Sequence, residues 1–162
     1  MTARVAGTRP PRRATRADVA ALNLLAGEAY AVYLPILGRA PQPMATDWAE
    51  ILDRMETWVL EDTAGTPLGS LALELESHHL VIWSVAVAPA VQGRGLGREL
   101  MRFAEGRARA LGRPTLRLFT NARMTRNLAL YGRLGYVETH RETLPDRVLV
   151  HMAKTLASGV AS

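Results

Sequence analysis

Val85-Ala86-Val87-Ala88-Pro89-Ala90-Val91-Gln92-Gly93-Arg94-Gly95-Leu96-Gly97-Arg98 is the stretch whose reading decides the fold. It joins an apolar strand to a glycine-spaced turn, and the turn opens directly into an amphipathic helix. That order converges several main-chain N–H groups and the positive end of a helix on one spot, which suits an anion. Arg94 and Arg98 add fixed charge beside it, so the expected ligand carries phosphate and the turn reads as a pyrophosphate cradle. A glycine-rich turn standing alone is also read as a tight connection. The spacing fits neither G-x-G-x-x-G nor the P-loop with its Gly-Lys-Ser/Thr end. Three companions favour the anion site: the strand before it, the helix beginning within it, and the flanking arginines. Glycine also lets oxygens reach the main chain without meeting a Cβ.

Working outward, the helix Leu96–Leu111 sets Leu96, Leu100, Phe103, Ala104, Ala108 and Leu111 on one face, and Gly112 ends it before Pro114. Strands are expected at Leu80–Ala88 and Thr115–Thr120. A strand, a long helix and a strand make a crossover, so these two strands should run parallel, joined right-handedly. Upstream, Thr15-Arg16-Ala17-Asp18 resembles a capping box, followed by a helix through Val19, Leu22, Leu25, Ala26 and Ala29 to about Tyr33. Leu34–Met44, with Pro35, Gly38, Pro41 and Pro43, reads as a loop. Thr46-Asp47 starts a second helix that aligns Trp48, Ile51, Leu52 and Met55. Thr57–Glu61 and Leu68–Glu74 read as strands, with turns at Asp62–Pro67 and Glu76–His79. Downstream, a helix runs from Met124 to Leu134 and ends at Gly135. Tyr136–Leu144 and Arg147–Thr155 then form a terminal hairpin across Pro145-Asp146. The order predicts an α+β fold on a mixed, mostly antiparallel sheet with about four helices.

With 162 residues, 48% of them apolar and 22% charged, the chain has the size and composition of one soluble globular domain. The expected division is a flexible Arg/Pro-rich tail over 1–14, a single domain over 15–156 and a frayed end over 157–162. The longest apolar run, near Leu80–Val91, is broken by Ser84 and Pro89 and falls short of a membrane span. Met1–Arg13 has arginines but no apolar block, so no signal peptide is expected and a cytoplasmic location is. No cysteine is present, which removes disulfides, thiolate metal sites and a cysteine nucleophile. The net charge of +5 invites a polyanionic partner, but nineteen of the twenty basic residues are arginine, the mark of a codon preference. Arg4, Arg9, Arg12, Arg13 and Arg16 sit among prolines without interleaved aromatics, which disfavours a nucleic-acid arm.

At the glycine turn the chain resembles the GNAT superfamily of acyl-CoA-dependent N-acetyltransferases, whose signature is Gln/Arg-x-x-Gly-x-Gly/Ala after a strand ending Val-x-Pro. Here it reads Gln92-Gly93-Arg94-Gly95-Leu96-Gly97 after Val87-Ala88-Pro89. The resemblance continues through Asn127-Leu128-Ala129-Leu130-Tyr131-Gly132-Arg133-Leu134-Gly135-Tyr136, and the element order matches from about Thr15 to Leu156. It implies that the two parallel strands splay apart and that acetyl-CoA sits between them. The pantetheine would bond to the backbone of Ser84, Val85, Ala86 and Val87, and the pyrophosphate to Gln92, Gly93, Arg94, Gly95, Leu96, Gly97 and Arg98. Asn127 would contact the pantetheine, and Asn121 at the end of its strand is grouped with this set.

The resemblance also implies the chemistry. With no cysteine available, the acetyl group would pass directly to an amine in a ternary complex, where positioning supplies much of the acceleration. Tyr131 aligns with the family's general acid, since a phenol can protonate a departing thiolate; its spacing on the helix fits a core tyrosine equally well. A backbone N–H around Ser84–Val87 would meet the oxyanion. Glu74 and Ser84 are the candidates for the base, unless water takes the proton. Tyr30, Tyr33, Arg39, Met44, Asp47 and Trp48 would build the acceptor side, aromatic faces and a carboxylate suiting a cationic amine. Alternatively Arg39 grips an acceptor carboxylate, or the segment only covers the core. The acceptor is a small amine or a peptide N-terminus. His140 and His151 should face each other across the hairpin, too few ligands for a metal, and none is expected. The hairpin could also support a homodimer. Two competing readings are a non-catalytic acyl-CoA sensor on the same fold and a basic nucleic-acid module.

Overall fold

Leu80–Val87, the apolar strand that leads into the glycine turn, lies at the middle of a seven-stranded sheet. The computed structural model describes residues 5–157. In chain order the elements are β1 (Arg12–Arg13), α1 (Val19–Tyr30), α2 (Leu34–Leu37), α3 (Gln42–Ala45), α4 (Trp48–Arg54), β2 (Glu56–Glu61) and β3 (Pro67–Leu75). Then follow β4 (Leu80–Val87), α5 (Leu96–Ala110), β5 (Thr115–Asn121), α6 (Thr125–Arg133), β6 (Val137–Thr143) and β7 (Val148–Thr155). The sheet order is β1-β2-β3-β4-β5-β7-β6, and every neighbouring pair is antiparallel except β4 and β5. Four helices have seven residues or more, and α2 and α3 are single turns.

One face of the sheet takes α1 and α4, where Leu22, Leu25, Ala26, Trp48 and Ile51 pack on Val59, Ala72 and Ala86. The other takes α5, whose Leu96, Leu100, Met101, Ala104 and Ala108 cover Leu60, Leu71, Leu73, Leu80 and Ile82. Phe103, expected in that buried stripe, stands at its edge and meets Trp58 edge-on at 4.6 Å. Met101 takes the core place instead, 1% exposed. A Cβ on Gly69 would lie 3.0 Å from the Ala86 carbonyl oxygen and 3.1 Å from Leu100 Cδ1, so glycine at this point of β3 lets α5 seat closely. Gly112 (φ +68°) and Gly135 (φ +96°) end α5 and α6 as expected. In each case the next residue donates back to the helix, Arg113 to the Ala108 carbonyl at 2.8 Å and Tyr136 to that of Tyr131 at 3.0 Å.

Three expectations are corrected. The N-terminal segment is not a free tail over its described part. Arg12 and Arg13 pair with Val59 and Trp58, and the Arg12 guanidinium joins Asp18 and Glu61. Asp18 is near in the chain, but Glu61 and the strand partners Val59 and Trp58 lie far along it, so local sequence does not announce the strand. Met1–Arg4 and the end beyond residue 157 lie outside the described residues. Leu34–Met44 is not simple loop, because Pro35 and Pro43 fall in the first turns of α2 and α3, where a missing N–H costs nothing. Finally, the longest apolar helical run is Arg16–Leu37, at 22 residues long enough to cross a membrane. Its Leu22, Leu25, Ala26 and Ala29 are buried against the sheet, as in the core helix of a globular domain.

The central strand pair decides the site. β4 and β5 are paired only at Leu80–Leu116 and Val81–Arg117, and beyond that point they separate. The register between β3 and β4 shifts where Ala72 faces Ser84 and Leu73 faces Ile82, which leaves Trp83 as the extra residue of a bulge. Trp83 turns to the α1 and α4 face and meets Trp48 edge-on at 6.1 Å. A cleft of about 400 Å³ opens where the strands part.

Candidate active site

The N–H of Ala88 donates to the Leu68 carbonyl at 2.8 Å. Alternation along an antiparallel ladder then points Ser84 and Ala86 at β3 and turns the peptide groups of Val85 and Val87 toward the opening. Both outward carbonyls have donor partners within the chain. The Tyr30 hydroxyl donates to the Val85 oxygen at 3.0 Å, and Gln92 Nε2 donates to the Val87 oxygen at 3.0 Å. The N–H groups of Val85 and Val87 are left as donors toward the gap. Of the four strand residues expected to meet a ligand through their backbone, Ser84 and Ala86 are therefore excluded, because their peptides serve β3.

Gly93 (φ +84°) and Gly95 (φ +85°) adopt the left-handed conformation that other residues resist, and Gly95 stands at the N-cap of α5. Among the described residues no carbonyl accepts from the backbone N–H of Gly93, Arg94, Gly95, Leu96, Gly97 or Arg98. Arg94 and Arg98 are exposed and have no acidic partner among the described residues. A Cβ at Gly97 would reach only ordinary contact, 3.8 Å from Val87 Cγ2, so packing within the chain does not require glycine there. Glycine-shaped backbone, unpaired donors and unbalanced charge fit a diphosphate.

Deeper in the cleft, Tyr131 lines the wall, and its ring meets that of Tyr136 edge-on at 6.1 Å. Burial pushes its phenol well above the ordinary value, so it stays a proton donor throughout the neutral range. Asn127 also lines the cleft; its Oδ1 accepts from the Tyr33 hydroxyl at 3.0 Å, which leaves its amide N–H groups for a ligand. Asn121 lines the cleft as well, with its Oδ1 accepting the Arg123 N–H at 2.9 Å in the turn before α6.

The expected acceptor and base residues divide. Tyr30 and Ser84 line the cleft but are tied together: the Ser84 hydroxyl donates to Tyr30 Oη at 3.0 Å, since the tyrosine's own proton goes to Val85. Burial first of all pushes the Tyr30 phenol up to about 12. Ser84 is thus a structural hydroxyl. Glu74 pairs with Val81 where β4 and β5 are still joined, at the closed end, and does not line the cleft. Asp47 caps α4 by accepting the Ala49 N–H at 3.0 Å. Trp48 is 0% exposed and donates its indole N–H to the Pro43 carbonyl at 3.0 Å, and Met44 packs beside that core. Asp47, Trp48 and Met44 are removed from the acceptor set because they build α4 and its seat. Arg39 does line the cleft, with its guanidinium on Asp146 of the hairpin turn.

The hairpin supplies residues that the sequence reading missed. Glu142, Leu144, Arg147 and Leu149 line the cleft, as does Phe119 of β5. Their signal was the alternation of β6 and β7, which shows which residues share a face but not which face meets the cleft. His140 and His151 do face each other, with stacked rings 4.2 Å apart.

A sequence model of the acetyltransferase (GNAT) family matches residues 22–136. Among solved structures, the chain is similar to the ribosomal-protein-S18-alanine N-acetyltransferase of Escherichia coli, with a TM-score of 0.75 at 19% identity over 94% of this chain and 97% of that one. It is similar to the PaiA N-acetyltransferase of Thermoplasma acidophilum in complex with coenzyme A, with a TM-score of 0.74 at 14% identity over 90% and 98%. A GNAT family acetyltransferase of Elizabethkingia anophelis with acetyl-CoA bound gives 0.69 at 16% identity over 93% and 99%. With the glycine turn, the parted strands and a family match over most of its length, the chain belongs to the GNAT family of acetyltransferases.

Proposed function

We propose that the chain is an N-acetyltransferase that moves an acetyl group from acetyl-CoA directly to a primary amine. The observation that carries this reading is the run of N–H groups from Gly93 to Arg98 that meet no carbonyl among the described residues, set at the mouth of the gap between β4 and β5. Acetyl-CoA, when bound, supplies the reactive thioester. Gly93–Arg98 hold its diphosphate, aided by the start of α5 and by Arg94 and Arg98. The N–H groups of Val85 and Val87 and the amide of Asn127 align the pantetheine arm. The Val85 N–H, fixed by the bulge, is also a preorganised donor for a developing oxyanion. Tyr131 holds the proton for the departing sulfur at its hydroxyl. Direct transfer needs no enzyme nucleophile, in keeping with a chain that has no cysteine.

The test pairs calorimetric titration of coenzyme A with a thiol-release assay over amines, amino acids, polyamines and peptides. Binding together with thiol release and an acetylated product by mass is expected. Binding without thiol release for every acceptor would make the protein an acyl-CoA sensor instead.

A further inference from the structure

We infer that Glu142 is the counter-charge for the ammonium group of the acceptor and the group that takes its proton. This deepens the acetyltransferase reading and rests on it for the substrate's reactivity. Among the described residues, Glu142 is the sole carboxylate on the wall of the cleft. The wall's two cations, Arg39 and Arg147, are both engaged by Asp146, which receives Arg147 Nη1 at 2.9 Å and the Arg39 guanidinium on its other oxygen. That shared ion pair ties the segment between α2 and α3 to the β6–β7 turn across the mouth. Among the described residues Glu142 has no such guanidinium; its partner there is the His151 ring, whose Nε2 lies 3.1 Å from Oε1.

The histidine holds the carboxylate in place. Its ring is stacked on His140 at 4.2 Å and 10°, and lies against Phe119 at 5.5 Å. A carboxylate aimed by a fixed ring, beside an apolar wall of Phe119, Leu144 and Leu149, suits a primary ammonium on an apolar body. The proton passes from the ammonium nitrogen to a Glu142 oxygen, which leaves the amine neutral with a free lone pair.

Benzylamine, a cation at neutral pH, and benzyl alcohol, its neutral counterpart, are the probes. Titration calorimetry on the wild type and on Glu142→Gln should show benzylamine binding weakened about ten-fold or more and the alcohol unchanged within about two-fold. In the transfer assay, kcat/KM for benzylamine should fall about 100-fold, while a weakly basic aromatic amine, already neutral, changes less than about three-fold. Glu142→Asp should restore part of the benzylamine rate, and it serves as the test variant if the glutamine form does not fold. Equal losses for charged and neutral probes, or no loss for either, overturn the inference. If benzylamine binds through Glu142 but no amine releases thiol, the ammonium site stands and the transferase reading falls. If transfer proceeds and Glu142→Gln is indifferent, the reverse holds.

Discussion

Tyr30 on α1 donates its hydroxyl proton to the Val85 carbonyl of β4 at 3.0 Å and accepts that of Ser84. One phenol thereby anchors the first helix to the strand that frames the cleft and occupies a carbonyl that β5 does not reach.

Tyr30→Phe leaves the Val85 carbonyl and the Ser84 hydroxyl without that partner, and about 1–3 kcal/mol should be lost in urea unfolding. Because Ser84 serves Tyr30, Ser84→Ala should keep turnover within about three-fold, where loss of a general base costs about 100-fold or more. The raised Tyr30 phenol also sets a sign. Above about pH 10 the unfolded tyrosine loses its proton while the folded one keeps it to about 12, so stability falls across that window. Unfolding midpoints measured against pH should show a shallower fall in Tyr30→Phe.

Tyr131→Phe should lower kcat by about 10²–10⁴-fold while the Kd for coenzyme A stays the same. Burial raises this phenol, so its acid form outlasts that of an exposed tyrosine. The rate profile should accordingly show no loss from Tyr131 ionisation below about pH 10, the ordinary phenol value. An alkaline limb near pH 8 that disappears in the phenylalanine variant would contradict the assignment.

The glycines of the turn should separate by mechanism. Gly95→Ala forces a side chain into the left-handed region and should cost about 1–2 kcal/mol of stability as well as coenzyme affinity. Gly97→Ala meets only ordinary contact at 3.8 Å, and it places alanine at a helical position, so stability should hold or rise. Its affinity for coenzyme A should nonetheless fall about ten-fold if a phosphate approaches that backbone. Thermal melts and calorimetry on the two variants read these effects apart.

Arg12 holds Asp18 and Glu61 below their ordinary carboxyl values of 3.8 and 4.5, chiefly through its hydrogen bonds. Depressed carboxyls contribute stability above those values and lose it as pH falls through the folded ones. With the arginine side chain 41% exposed, Arg12→Ala should cost only about 1 kcal/mol at pH 7. It should also flatten the acid limb of the stability curve, measured by urea unfolding between pH 2 and about 7.

The amino-acid sequence alone determined the features that depend on neighbours within one or two turns of chain. The glycines at 93, 95, 112 and 135, the apolar face of α5, the hairpin register opposing His140 to His151, and the Asn127–Tyr136 segment all follow from local backbone rules and short spacing. Which side chains meet in the cleft was decided only by the tertiary structure. Trp48 and Asp47 look like an aromatic and a carboxylate suited to a cation until α4 packs and consumes them in a core and a cap. Glu74 and Ser84 are chemically eligible until register places one at the closed end of the strand pair and hands the other to Tyr30. Glu142 enters only because β6 and β7 close the far side of the gap beyond β5. Contacts between residues far apart in the chain depend on sheet order and on where strands part, and no local window of residues encodes either.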